Sequence, residues 1–154
     1  MKRFSGRVAF VTGASRGIGK TIAERFADEG AKVCLVDVNG ENLETTISEF
    51  KAKGYDVIGQ TADVSVREQV EAAVRAAVQT YGKIDILVNN AGIIRDNLLY
   101  KMTDDDWDAV MNVHLKGAFL SARAVQKYMV ENRYGRIINI SSTSALGNRG
   151  PANY

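Results

Sequence analysis

The sequence predicts an α/β fold in which a doubly wound parallel sheet carries helices on both faces. Three observations predict it. Five short apolar runs alternate with segments whose apolar residues recur at helical spacing. The runs are nearly continuous in apolar residues, the pattern of strands covered on both faces. Every unusual polar or glycine-rich segment follows the end of such a run, where the ligand crevice of a doubly wound sheet lies. The 154 residues suit a single domain, residues 1–154, that can bury a real core.

Residues 7–12 (RVAFVT) read as the first buried strand, and a glycine-rich turn, residues 13–19, follows. Ile18, Ile22, Phe26 and Ala27 mark one face of the next helix, which closes near Gly30. Residues 32–37 (KVCLVD) are the second strand, residues 41–53 a polar-faced helix ending at Gly54, and residues 56–61 a third, weaker strand. Ser65 and Glu68 have capping-box spacing, with serine at N-cap and glutamate at N3. Behind them Val70, Ala73, Val74, Ala77, Val78 and Tyr81 repeat at helical spacing. Residues 83–89 form the fourth strand. Thr103 can cap a helix whose first turn holds Asp104, Asp105 and Asp106, which complement its dipole. A long helix over residues 115–132 precedes Gly135, and residues 136–142 (RIINISS) are the fifth strand. Cys34, Trp107 and Met111 read as core or near-core residues.

Composition excludes several classes. With 45% hydrophobic and 25% charged residues the chain is not disordered or of low complexity. A net charge of +2 makes no electrostatic case for nucleic acid. No apolar run approaches the roughly 18–20 residues of a membrane helix. The apolar run at residues 8–11 is too short for a signal peptide. A single cysteine excludes an internal disulfide framework and a cysteine metal cluster. The expectation is a cytoplasmic protein without a metal site, membrane or nucleic-acid partner.

Thr12-Gly13-Ala14-Ser15-Arg16-Gly17-Ile18-Gly19 lies between a strand and a helix. Backbone amides at a helix N-terminus hold a pyrophosphate, and glycines let it approach. The spacing is G-x3-G-x-G, without the Gly-Lys-Ser/Thr ending of a P-loop. Gly13, Ser15, Arg16, Gly17, Ile18 and Gly19 are therefore candidate dinucleotide contacts. Asp37 ends the second strand 18 residues after Gly19. In dinucleotide-binding folds an acid at about 20 residues bonds the adenosine ribose hydroxyls. It also repels a 2′-phosphate, which argues for NAD over NADP, although Arg16 pulls the other way. Asn89-Asn90-Ala91-Gly92 ends the fourth strand, and Gly92 would let a ring come close. Taken alone a turn explains that segment, and caps or turns explain Ser141 and Ser142.

Taken together these segments resemble the short-chain dehydrogenase/reductase family. The match is T-G-x-x-x-G-x-G at residues 12–19, Asp63-Val64 after the third strand, N-N-A-G at residues 89–92, and a serine before Tyr154. It covers the whole chain. Residues 92–99 and 147–154 are most similar to 3-oxoacyl-(acyl-carrier-protein) reductases within that family. The resemblance implies a Rossmann-type domain binding NAD or NADP. It also implies hydride transfer between the nicotinamide and a carbonyl, with Tyr154 exchanging the proton. Asp63 and Val64 would contact adenine, and Asn89, Ala91 and Gly92 would line the ribose region.

A serine would steady the substrate oxygen. Counting back from the tyrosine gives Ser141, while the strand motif I-x-N-I-S-S gives Ser142. Ser142 is favoured, because a strand end fixes a side chain more firmly than a loop length does. His114 occupies the place of the family's catalytic asparagine, where it would hold a relay water through a ring nitrogen. Asn112 lies on another helical face. A histidine here also occurs in relatives acting on hydroxyacyl thioesters.

The implied substrate is a 3-oxoacyl thioester or another small carbonyl, with acyl carrier protein as a partner at Arg133. A homotetramer would assemble on the helix after Leu115. A small alcohol, sugar or steroid dehydrogenase is an alternative, as is a non-catalytic dinucleotide-binding protein. The family's lysine after the tyrosine would fall beyond Tyr154, and a sheet edge would stay bare. The chain is expected to be a truncated portion of a longer domain, inactive alone.

Overall fold

A computed structural model of the chain describes residues 2–146. Tyr154 lies outside the described residues. Five strands form one sheet in the order β3-β2-β1-β4-β5, and every pairing is parallel. They are β1 (Val8–Thr12), β2 (Lys32–Asp37), β3 (Val57–Thr61), β4 (Ile86–Asn89) and β5 (Arg136–Asn139). Between them run α1 (Gly17–Asp28), α2 (Gly40–Ala52), α3 (Arg67–Tyr81), α4 (Asp104–Val110) and α5 (Gly117–Glu131). The chain winds outward from β1 to β3 and returns to the other side of β1 at β4. The reversal opens a crevice beyond the C-terminal ends of β1 and β4.

Alternation along the strands divides the core. Ala9 and Val11 of β1 meet Ala23 and Ala27 of α1 and Leu43, Ile47 and Phe50 of α2. Phe10 and Cys34 face the opposite layer, with Ala73, Val74 and Ala77 of α3 and Val125 and Met129 of α5. Burial pushes the Cys34 thiol well above its ordinary value, so it stays protonated. At the opposite end of the sheet Asp85 is a buried anchor. Its carboxylate accepts the Val8 N–H at 2.9 Å and pairs with Arg7 and Lys83, each at 3.0 Å.

Several elements differ from the sequence reading. On α1, Ala27 is buried and Ile22 and Phe26 pack against the core as expected, but Ile18 is 67% exposed and Gly19 and Ala23 complete the buried face. Small residues face the sheet because the helix lies close to it: a Cβ at Gly19 would lie 2.1 Å from the Gly13 carbonyl oxygen. Ser65 does not cap α3, whose N-cap is Val66 without a side-chain bond. The Ser65 N–H and hydroxyl donate instead to Asp63 Oδ1 at 2.8 and 2.7 Å. Thr103 does cap α4, in a reciprocal capping box with Asp106. Trp107 is exposed, because the outer side of α4 faces solvent, whereas Met111, just beyond α4, is half-buried. The helix expected from residue 115 continues instead from α4 through a π-helical turn, Met111–Lys116, into α5. The fifth strand, expected over residues 136–142, ends at Asn139 and is exposed at all its positions.

Candidate active site

The turn after β1 and the loop after β4 are locked together before any ligand enters. Thr12 Oγ1 accepts the N–H groups of Asn90 and Ala91, both at 3.1 Å, and donates to the Val88 carbonyl. The Asn90 amide donates to the carbonyls of Thr12 and Gly13 at 3.0 and 3.1 Å. Sequence reasoning assigned no role to Thr12 and read the asparagines of this segment as turn residues able to bond neighbouring backbone. The signal was present, since each is a polar residue at the C-terminal end of a central strand inside a quoted motif.

The cleft above this junction has two lobes, of about 440 and 630 Å3, which share Val64, Asn90, Ala91, Gly92, Ile93 and Val113. The smaller lobe is lined by Gly13, Arg16, Gly17, Ile18, Gly19, Asp37 and Asp63. Gly17 has φ +54°, a left-handed conformation that favours glycine, and a Cβ there would meet nothing within 4 Å. Helix α1 starts without a side-chain cap. An open space above uncapped amides fits the pyrophosphate of a dinucleotide. Ser15 is buried beneath the turn and absent from the lobe's lining, so its hydroxyl is not placed as a wall contact.

Asp37 is held by two backbone donors. Ser15 N–H donates to its Oδ2 and Asn39 N–H to its Oδ1, both at 3.0 Å. The Thr46 hydroxyl donates to the Ser15 carbonyl at 2.8 Å, tying the turn to α2. A carboxylate in this position fits sugar hydroxyls and opposes a phosphate. Asp63 is also engaged, through Ser65, and its N–H donates to Gln69 Oε1 at 2.8 Å. Val64 packs with Val70 and Leu120 beneath the cleft. Gly117 lets α5 approach this floor, since a Cβ there would lie 2.7 Å from Val64 Cγ2.

The larger lobe extends from Ala91 and Gly92 to Ser141 and Ser142. The Asn89 amide donates to Asn139 Oδ1 at 2.8 Å, bridging β4 and β5 beneath it. Ile93, Ile94, Val113 and Leu115 make part of its wall apolar. Both serines are exposed, and the Ser142 hydroxyl accepts the Ser144 N–H at 3.1 Å. His114 lines this lobe, while Asn112 does not. The His114 Nε2 lies 3.0 Å from the Ile93 nitrogen and 2.9 Å from its oxygen. That ring nitrogen meets backbone. Among the described residues, no cluster of His, Cys, Asp or Glu could hold a metal ion, and no helix is long and apolar enough to cross a membrane.

Comparison with known proteins agrees with this geometry. The family model for short chain dehydrogenase matches residues 7–154. The chain is 45% identical over 148 residues to the (2S)-[(R)-hydroxy(phenyl)methyl]succinyl-CoA dehydrogenase subunit BbsD of Thauera aromatica, covering 96% of this chain and 60% of that protein. It is 45% identical over 153 residues to the 3-oxoacyl-[acyl-carrier-protein] reductase FabG of Thermotoga maritima, covering 99% of this chain and 62% of that one. It is also 46% identical over 147 residues to the short-chain reductase protein NovJ of Streptomyces niveus, covering 96% and 56%. The chain thus spans between 56% and 62% of the length of these curated relatives. With its parallel sheet, its glycine turn and its family match across almost all residues, this chain belongs to the short-chain dehydrogenase family.

Proposed function

We propose that residues 1–154 are the cofactor-binding portion of one Rossmann-type domain in an NAD(P)-dependent oxidoreductase. The reaction is reduction of a 3-oxoacyl thioester to the 3-hydroxyacyl thioester. The observation that carries this reading is the continuous two-lobed cleft, with Asp37 in one lobe and Ser141 and Ser142 in the other. The nicotinamide, when bound, supplies the hydride.

The chain's own residues bind and orient. Gly13, Arg16, Gly17, Ile18 and Gly19 hold the pyrophosphate end, and Asp37 takes the adenosine ribose hydroxyls. Asp63 and Val64 meet the adenine, while Asn89, Ala91 and Gly92 border the ribose and nicotinamide side. Ser142 donates to the substrate oxygen, and Tyr154 exchanges the proton at that oxygen. An ordinary phenol titrates near ~10, so Tyr154 needs a cationic neighbour to act near neutrality.

The thioester reading draws on the printed names of two relatives, one a 3-oxoacyl-[acyl-carrier-protein] reductase and one a dehydrogenase of a succinyl-CoA derivative. Acyl carrier protein then docks near Arg133. Leu115, Phe119 and Val130 are between 56% and 69% exposed along the π turn and α5, which supports assembly of copies, in this reading a homotetramer, on that helix.

The cofactor test is a fluorescence titration of the chain with NADH and with NADPH. NADH should bind at least about tenfold more tightly, as befits a carboxylate facing a 2′-phosphate. D37S should narrow that preference, and tighter NADPH binding by the unaltered chain would overturn the NAD assignment. In the complete enzyme, 3-oxoacyl thioesters should outrun simple ketones, and S142A should cost more rate than S141A. Indifference to the thioester would favour a small alcohol, sugar or steroid dehydrogenase.

A further inference from the structure

We propose that His114 is a positioning residue that latches the ridge between the two lobes. Its imidazole accepts the Ile93 N–H at Nε2 and carries its ring proton on Nδ1. Three observations lead there. First, His114 sits in the π-helical turn Met111–Lys116, an interruption of the helical ladder that re-aims side chains and recurs at functional sites.

Second, Nε2 lies 3.0 Å from the Ile93 nitrogen and 2.9 Å from its carbonyl oxygen. One ring nitrogen cannot accept from the first and donate to the second in the same protonation state. The peptide plane fixes the direction of the Ile93 N–H, and that N–H points at Nε2. A proton on Nε2 would set two hydrogens face to face, so the proton belongs on Nδ1.

Third, Gly92 and His114 are matched in shape. A Cβ at residue 92 would lie 2.6 Å from His114 Cε1 and 3.2 Å from Nε2. The ring that comes close to Gly92 is therefore the chain's own imidazole. Gly92 and Ile93 line both lobes, so fixing this peptide fixes the ridge that separates them. The latch itself is independent of the cofactor assignment. Only its consequence for binding rests on the function proposed above.

The sequence contains one histidine, so labelling histidine with 15N gives a single imidazole to observe by NMR. Uniformly labelled protein should show the Nδ1–H tautomer and a through-hydrogen-bond coupling between the Ile93 amide nitrogen and Nε2. H114A should expose the Ile93 amide to hydrogen exchange about tenfold faster, the worth of one ordinary hydrogen bond. H114Q should restore protection, because its longer side chain carries an amide to the place of Nε2, where its oxygen can accept the Ile93 N–H. G92A, which keeps the histidine, should abolish the coupling by displacing the ring. NADH affinity, read by fluorescence, should fall in H114A and recover in H114Q. An Nε2–H tautomer, or no coupling in the unaltered chain, would overturn the latch even if H114A failed to fold. Loss of NADH binding by the unaltered chain, with the coupling present, would sink the cofactor reading and leave the latch standing.

Discussion

Strand β1 is buried at all its positions and β5 is exposed at all of its own, although both read in the sequence as apolar strands. The difference lies in what surrounds them. β1 has a strand on either side, and its two faces join the two main core clusters. Among the described residues β5 pairs only with β4, and Ile137, Ile138 and Ile140 are 41%, 42% and 43% exposed. Both faces of β5 are therefore wet, since Ile137 and Ile138 point to opposite sides. Apolar content tells where a strand forms. Burial depends on which other elements arrive to cover it.

The sharpest way to break this comparison is to truncate one residue on each strand. F10A in β1 removes a side chain only 1% exposed, and should cost about 3–5 kcal/mol in urea unfolding. I138A in β5 should cost less than about 1 kcal/mol, because its side chain is already half in water. Equal losses would mean that β5 is covered in solution. Next in size is D85A, which strips a buried acceptor from the Val8 N–H and an ion partner from Arg7 and Lys83. The expected loss is about 2–3 kcal/mol, from an unpaired donor at the start of β1. A loss near zero would show that water replaces the carboxylate.

A third test depends on pH. Hydrogen bonding to Arg3, with a second bond from Arg25, lowers the Glu29 carboxyl from its ordinary 4.5 to about 2. The lowered value belongs to the folded state, so the stabilisation is complete above pH 4.5 and is lost as pH falls from 4.5 towards 2. Thermal unfolding between pH 5 and pH 2 should fall less steeply in E29Q than in the unaltered chain. Parallel curves would sink the ion-pair account. The smallest expected effect is I18S, within about 0.5 kcal/mol, because that side chain lies outside the buried face of α1. A loss above about 2 kcal/mol would put Ile18 on the buried face with Ile22, Phe26 and Ala27.

The candidate site was legible in proportion to its locality. The glycine turn, Asp37, Asp63 and residues 89–92 declare themselves through spacing after strands, and the fold brings them around one cleft. The mutual lock of Thr12 and Asn90 escaped because the bonded partners lie 77 to 79 positions apart in sequence. Ser65 was misread for a similar reason. It has cap spacing, yet the nearer Asp63 carboxylate captures its hydroxyl. The pairing of Gly92 with His114 spans 21 to 22 residues and joins a loop to a helix, so no local pattern announces it.

The sequence by itself determined the parallel alternation of strands and helices, the position of the crevice, and the family. Those follow from periodicity and from residues adjacent along the chain. Tertiary structure alone decided that Ile18 turns outward, where Ser65 points, how wet β5 is, and that the His114 ring presses on Gly92. These depend on the distance between elements and on competition among several partners for one donor. Neither quantity exists until the chain has folded.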